Sequence, residues 1–340
     1  MSTRGATSTP DLTNTRGTVS TRNRRVIAGL CAIAAILFAG TGYVTWTITR
    51  SGRPAAASGL APAPAGPGTL VFLDRGRTLA QVPVKDPAAE PVRRPLSCLR
   101  TYTAGDTTVC LRPVAVPAGF EAAVLRDGRE IAEPIRIDGT PSRARVSPSG
   151  RLVAWTVFRT GDSYAPGAFA TTTGIYDTKT QRLYGSLEDF PVTVDGKPYQ
   201  KADMNFWGVT FAGDDQTFYA TMSSAGHIWL LRGELTTRRL TAVRTDVECP
   251  SLSPDGLRIA YKKRLGQRWR LHVLELGSGR ETPLAERAEV DDQAAWLDDT
   301  SVAYARPDAD GRPALFTVPA DGTGSPRLLR REATSPAVIR

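Results

Sequence analysis

Histidine is almost missing from this 340-residue chain: His227 and His272 are the only two. Each sits in a run of large apolar residues that reads as a strand, AGHIWLL and RLHVLEL. A serine hydrolase needs a histidine beside a nucleophile and an acid. No G-x-S-x-G turn occurs, and Met222-Ser223-Ser224-Ala225-Gly226 lacks the first glycine. Both histidines are therefore expected to be packed or edge-facing. Cysteine is nearly as scarce. The four cysteines show no C-x-x-C or Cys/His ligand spacing, so no metal site and no cofactor is expected. Lysine is scarce too, with six (85, 179, 197, 201, 262, 263) among 43 basic residues. Together with abundant Ala, Gly and Pro, the arginine bias points to a GC-rich, bacterial genome. The net charge of +9 is uneven, because residues 1–25 carry +4 and the other 315 only +5. That leaves no basic face of the kind nucleic acid requires.

What is present divides the chain into four parts. Residues 1–25 are rich in Ser, Thr, Arg and Gly without apolar periodicity, and are read as a disordered basic cytoplasmic tail. Val26 to Ile48 is a 23-residue run without a charge, flanked by Arg24-Arg25 and Arg50. As a helix it would span roughly 34 Å, enough to cross a membrane. Tyr43 and Trp46 near its far end suit the interface, and the basic flank stays cytoplasmic. It is read as a signal anchor, because it is long for the core of a signal peptide; a cleaved signal peptide cut near Ala55-Ala56-Ala57 is the other reading. Residues 49–68 form a Pro/Ala/Gly linker, and residues 69–340 the folded extracytoplasmic domain.

Within that domain, Glu248 to Leu284 reads as four short strands and three turns, with Ser253-Pro254-Asp255-Gly256 as the first turn. A tight turn followed by a strand recurs at Ala104, Ser147, Ala212, Ser253 and Leu297, at intervals of 43, 65, 41 and 44 residues. Extra loops, about Arg159 to Thr172 and Phe190 to Asp203, account for the long interval. A period of roughly 40–45 residues with four strands per repeat is the pattern of a β-propeller blade. The fold expected is all-β, six four-stranded blades, preceded by one transmembrane helix. Thr69 to Val84 supplies only two strands of the first blade, so the last residues, Ser335 to Arg340, are expected to supply its missing strand. SPDGLRIAY (253–261) and SPSGRLVAW (147–155) resemble the repeat of TolB-like, WD-type propellers over about two thirds of the chain. The smaller α/β domain that precedes the propeller in that family has no counterpart here, and no functional residue is carried over.

Few residues invite chemistry. Cys98 and Cys110 are symmetric about Ala104; a hairpin turning there would bring them within disulfide range, in a compartment that permits the bond. The acidic pairs Asp214-Asp215, Asp291-Asp292 and Asp298-Asp299, and Asp308-Ala309-Asp310-Gly311, are assigned to turns. Lys262, Lys263, Arg264, Arg268 and Arg270 form the densest basic cluster, read as a solvated hairpin or a patch for an anionic partner such as an envelope polymer or lipid headgroups. The function expected is a non-catalytic interaction or sensing module, tethered to the membrane through residues 26–48, outside the cell membrane and secreted if the signal is cleaved. Its partner is an unknown envelope protein or polymer. The alternative is a glycan- or peptide-directed hydrolase using channel carboxylates.

Overall fold

The computed structural model describes residues 66–159 and 170–340. The tail, the apolar segment and residues 49–65 of the linker lie outside the described residues, as do residues 160–169 of the first extra loop.

The repeat unit is laid out by its turns. In the fifth blade the strands are Glu248–Leu252, Arg258–Leu265, Arg268–Glu275 and Glu281–Pro283, paired in that order. The amide of Ser253 donates to the carbonyl of Arg258 and that of Gly256 to Ser253. The third blade repeats this, with Ser147 to Leu152 and Gly150 to Ser147. Gly150 has φ +78°, and a Cβ there would stand 2.8 Å from Thr107 Oγ1 of the preceding blade, so the turn needs glycine twice over. All five recurrent turns join an innermost strand to its neighbour.

The second strand of each blade is buried on both faces. In Arg258–Leu265, Ile259 and Tyr261 pack toward blade four while Ala260 packs toward blade six. Neither face is left to solvent, because a neighbouring sheet covers each side. Leu257, just ahead of this strand, is exposed in the turn. Six core clusters result, one at each junction between adjacent blades. The junction of blades one and six is built from Leu70, Phe72, Ala80, Val82, Leu315 and Val338, among others.

Closure is achieved by the C-terminal strand Ala333–Ile339, which pairs antiparallel with Thr69–Asp74 and becomes the innermost strand of blade one. Blade one also has a fourth strand, Val92–Ser97, that the sequence pattern did not reveal. The second extra loop is structured. Val192–Val194 and Lys197–Tyr199 form a hairpin that joins the outer edge of blade four by parallel pairing with Arg239–Thr245. Blade four therefore has six strands, and the outer strand of blade two is split between Arg129–Glu130 and Ile135–Ile137.

Cys98 and Cys110 form a disulfide, with Cα atoms 5.4 Å apart. They are not a cross-strand pair. The hairpin turns at Gly105-Asp106, Thr101 faces Cys110, and Cys98 lies before the strand, where the chain passes from blade one to blade two. The bond thus staples an inter-blade crossing. Cys249 is free and buried.

Two outcomes follow from this closure. Removing residues 333–340 should abolish the sharp thermal unfolding transition of the full chain, because the edge of Thr69–Asp74 and two junctions are left open. Replacing Cys98 and Cys110 by serine should lower stability in denaturant by about 3 kcal/mol, the size expected for a short closed loop.

Candidate functional site

The six innermost strands surround a channel, and side chains two apart on a strand share a face. Arg143 and Arg145 stand on the inner strand of blade three, Thr140–Val146; Arg100 and Tyr102 stand on that of blade two, Arg100–Ala104. These four side chains, with Lys262, Asp291, Asp292 and Gln293, make the channel polar.

At one end, Lys262 Nζ donates to Asp291 Oδ1 at 2.5 Å, and Arg143 Nη2 donates to the same oxygen at 3.2 Å. The Lys262 side chain is only 4% exposed, whereas that of Asp291 is 61% exposed. Burial pushes the Asp291 carboxyl up, but Lys262 and Arg143 outweigh it and hold the group below the usual carboxylate range. Asp292 Oδ2 accepts from the Ala305 amide at 3.2 Å. Arg100 donates to the carbonyls of Ser142 (2.9 Å) and Leu99 (3.2 Å). It makes no ion pair among the described residues, and burial lowers its pKa. Arg100, Asp291 and Asp292 border a cavity of about 230 Å³, together with Arg306, Thr334 and Ser335.

The waist is narrower. Gln293 Nε2 donates to the carbonyls of Val209 (3.0 Å) and Pro250 (2.8 Å), tying blades four, five and six together across the channel wall. The Arg145 guanidinium lies 4.3 Å from the centre of the Tyr102 ring and donates to Ala294 O at 3.1 Å. Space here falls to about 20 Å³, room for a single water. Beyond it the channel widens again to about 200 Å³ on the face that carries the recurrent turns, between Tyr102, Arg145, Phe211, Ser251, Trp296 and Arg340.

The basic cluster read from the sequence is split between two faces rather than forming one patch. Lys262 is buried in the channel against Asp291, and Lys263 Nζ meets Glu281 at 2.5 Å on the opposite face. Arg264 is exposed, pairs with Glu248 at 3.4 Å and lies over the Trp269 ring, and Arg270 donates to Glu286 O. Arg268 is exposed at the hairpin tip. Alternation divides the five bases: Lys262 and Arg264 share one side of the strand pair, both over the Trp269 ring, while Lys263, Arg268 and Arg270 share the other, with Lys263 opposite Arg270. Asp291 and Asp292 are likewise not in a turn between strands: they precede the inner strand of blade six and stand at the channel end. Asp214, Asp298 and Asp308 do occupy turns, where each accepts from backbone amides. His272 is 8% exposed against Tyr261, and His227 is exposed beside Trp229. No group of three metal-ligating side chains occurs among the described residues. Arg100, Arg143 and Arg145 escaped sequence reading. The available signal was their alternation just ahead of the recurrent turns at Ala104 and Ser147, which places them on inner strands.

These features define a six-bladed β-propeller closed by its C-terminal strand, with a charged channel narrowed at its middle. The fold is TolB-like. The chain is similar to TolB from Acinetobacter baumannii, at TM-score 0.57 and 16% identity, over 80% of this chain and 67% of that one. It is also similar to a chain of a nidogen/laminin complex (TM-score 0.51, 12% identity, 80% and 98% covered). A puromycin-hydrolysing peptidase from Mycobacterium tuberculosis aligns at TM-score 0.46 and 16% identity, over 80% of this chain and 45% of that one. No family model matches the chain, and no curated protein matches it.

The pairing of Glu281 generates a pH dependence. Burial raises this carboxyl, but hydrogen bonds from Lys263 (2.5 Å) and Arg244 (2.6 Å) overcome it and bring it down to about 2. A carboxyl depressed on folding contributes stability above its unfolded pKa, near 4.5, and loses it as pH falls toward 2. Acid titration of the unfolding free energy should therefore show a loss of roughly 3 kcal/mol from this group over that window. Glu281→Gln should remove that part of the slope.

Proposed function

We propose that the protein is a non-catalytic binding module of the bacterial cell envelope, held at the membrane by Val26 to Ile48, with its propeller outside and its channel as the recognition site. The observation that carries this reading is the state of the channel charges. Asp291 is held by Lys262 and Arg143, and Asp292 accepts a backbone amide, so neither is placed as a free acid beside a free base. The cations, by contrast, outnumber the carboxylates, and Arg100 and Arg145 make no ion pair among the described residues, although Arg100 shares its cavity with Asp291 and Asp292. Such a channel is suited to holding an anionic group rather than to transferring protons. The Cys98–Cys110 disulfide supports an oxidising compartment.

The test uses the full chain in bacterial membranes, with a photo-crosslinking residue at Ser335 or at Gly105, one at each channel end. The protein should fractionate with membranes through residues 26–48. One defined partner should be captured from a channel end, and Arg100→Glu should abolish capture at Ser335. Hydrolysis of envelope peptides or glycans by the purified chain, lost in Asp292→Asn, would establish the catalytic alternative and sink this proposal.

A further inference from the structure

Resting on the reading of the channel as a recognition site, we infer that the cavity on the turn face binds an organic carboxylate attached to a flat apolar group, with Arg145 as its anchor. Arg145 is 4% exposed and has no ion pair among the described residues. Its guanidinium donates to one carbonyl, Ala294 O, and lies over the face of Tyr102; its buried Nε has no hydrogen-bond partner. An isolated guanidinium taken from water is costly unless an anion and hydrogen bonds compensate it. Stacking on a tyrosine supplies a fraction of that compensation. A carboxylate is the complement that a guanidinium fork is shaped for.

The surroundings select the rest of the ligand. The cavity measures about 200 Å³, and no aspartate or glutamate lines it. A second cation, Arg340, stands at the same cavity and donates to Trp296 O, while the Trp296 indole N–H is tied to Ser251 O at 2.8 Å. With that N–H already satisfied and Arg258 lying 5.2 Å over the ring, Trp296 adds an apolar edge to the cavity wall, and Phe211 adds another. Two cations and three aromatic side chains around one recess fit a small anion with an apolar flat body. The other end of the channel differs: there Asp291 and Asp292 share the space with Arg100, so a simple anion meets repulsion as well as attraction.

Two sources carry this chemistry, a free aromatic acid and the C-terminus of a peptide ending in an aromatic residue. Phenylacetate and Gly-Gly-Phe represent them, with phenylacetamide and Gly-Gly-Phe-amide as uncharged controls. Binding to the full-length protein would be followed by calorimetry and tryptophan fluorescence. At least one of the two acids should bind at sub-millimolar concentration, and its amide at least tenfold more weakly. Which acid binds tells the free metabolite from the chain end. Arg145→Gln should weaken binding at least tenfold with the thermal transition retained, and Arg145→Lys should keep part of it. Because Arg145 is buried and its replacement can unfold the protein, Arg340→Gln at the exposed rim provides a second variant, expected to weaken binding about threefold to tenfold. Equal affinity for acid and amide, no binding of either acid, or full affinity in both Arg145→Gln and Arg340→Gln would overturn the assignment. If the acids do not bind while cross-links from the channel ends still capture a partner, this inference fails and the binding-module reading stands. Loss of both defeats both.

Discussion

Burial of sheet faces against the next sheet is the constraint on which the molecule depends. A four-stranded sheet with apolar residues on both sides cannot stand in water, and each blade here has such sides. Ile259 and Tyr261 face one neighbour while Ala260 faces the other, and the same alternation holds for Leu274 against Leu271 and Val273. A line of such sheets would leave two ends bare. The ring removes them, because Ala333–Ile339 returns to the strand at the beginning of the domain and completes blade one with residues from the far end of the chain. Fully buried large side chains each contribute about 1.5–3 kcal/mol, so an open junction would cost more than a typical domain can spare.

The ring also creates the site. Six inner strands held side by side leave a channel too narrow for water to solvate every charge freely, and the sequence places Arg100, Arg143, Arg145, Asp291 and Asp292 there. The wall answers with specific partners: Lys262 and Arg143 on Asp291, Tyr102 and Ala294 O on Arg145, Gln293 bridging two carbonyls. Positive charge is left in excess, and its geometry is fixed by rigid strands rather than by loops. That is the condition for a preorganised recognition site.

The repeat itself was legible because each turn carries its own chemistry. SPSG and SPDG demand a tight reversal wherever they occur, and the structure puts all five recurrent turns in the same place within their blades. The third strand of the fifth blade, Arg268–Glu275, was equally readable from its hydrophobic run. Elsewhere the local signal misled. Asp291-Asp292 resembles the turn pairs Asp214-Asp215 and Asp298-Asp299 in sequence, yet it lies before an inner strand rather than after one. Lys262 to Arg270 looked like one basic surface, but strand alternation divides it. The Cys98–Cys110 pair was inferred from a hairpin centred on Ala104, but the turn lies at Gly105-Asp106 and Cys110 faces Thr101; the bond exists because the chain crosses between blades there. Val92–Ser97, with arginines and a proline, carries no strand signal of its own and pairs because Thr78–Pro83 offers an open edge.

The sequence by itself determined the strand periodicity and the positions of the turns, which residues a few positions apart set, and from their repetition the number of blades and the need for a terminal strand, since the first repeat is one strand short. Only the tertiary structure decided which charges meet in the channel. Arg100 comes from blade two, Arg143 and Arg145 from blade three, Lys262 from blade five and Asp291 and Asp292 from blade six, residues far apart in the chain, and their convergence depends on the angle at which the blades pack. No local pattern encodes that angle; it emerges from the fit of six apolar junctions around a closed circle.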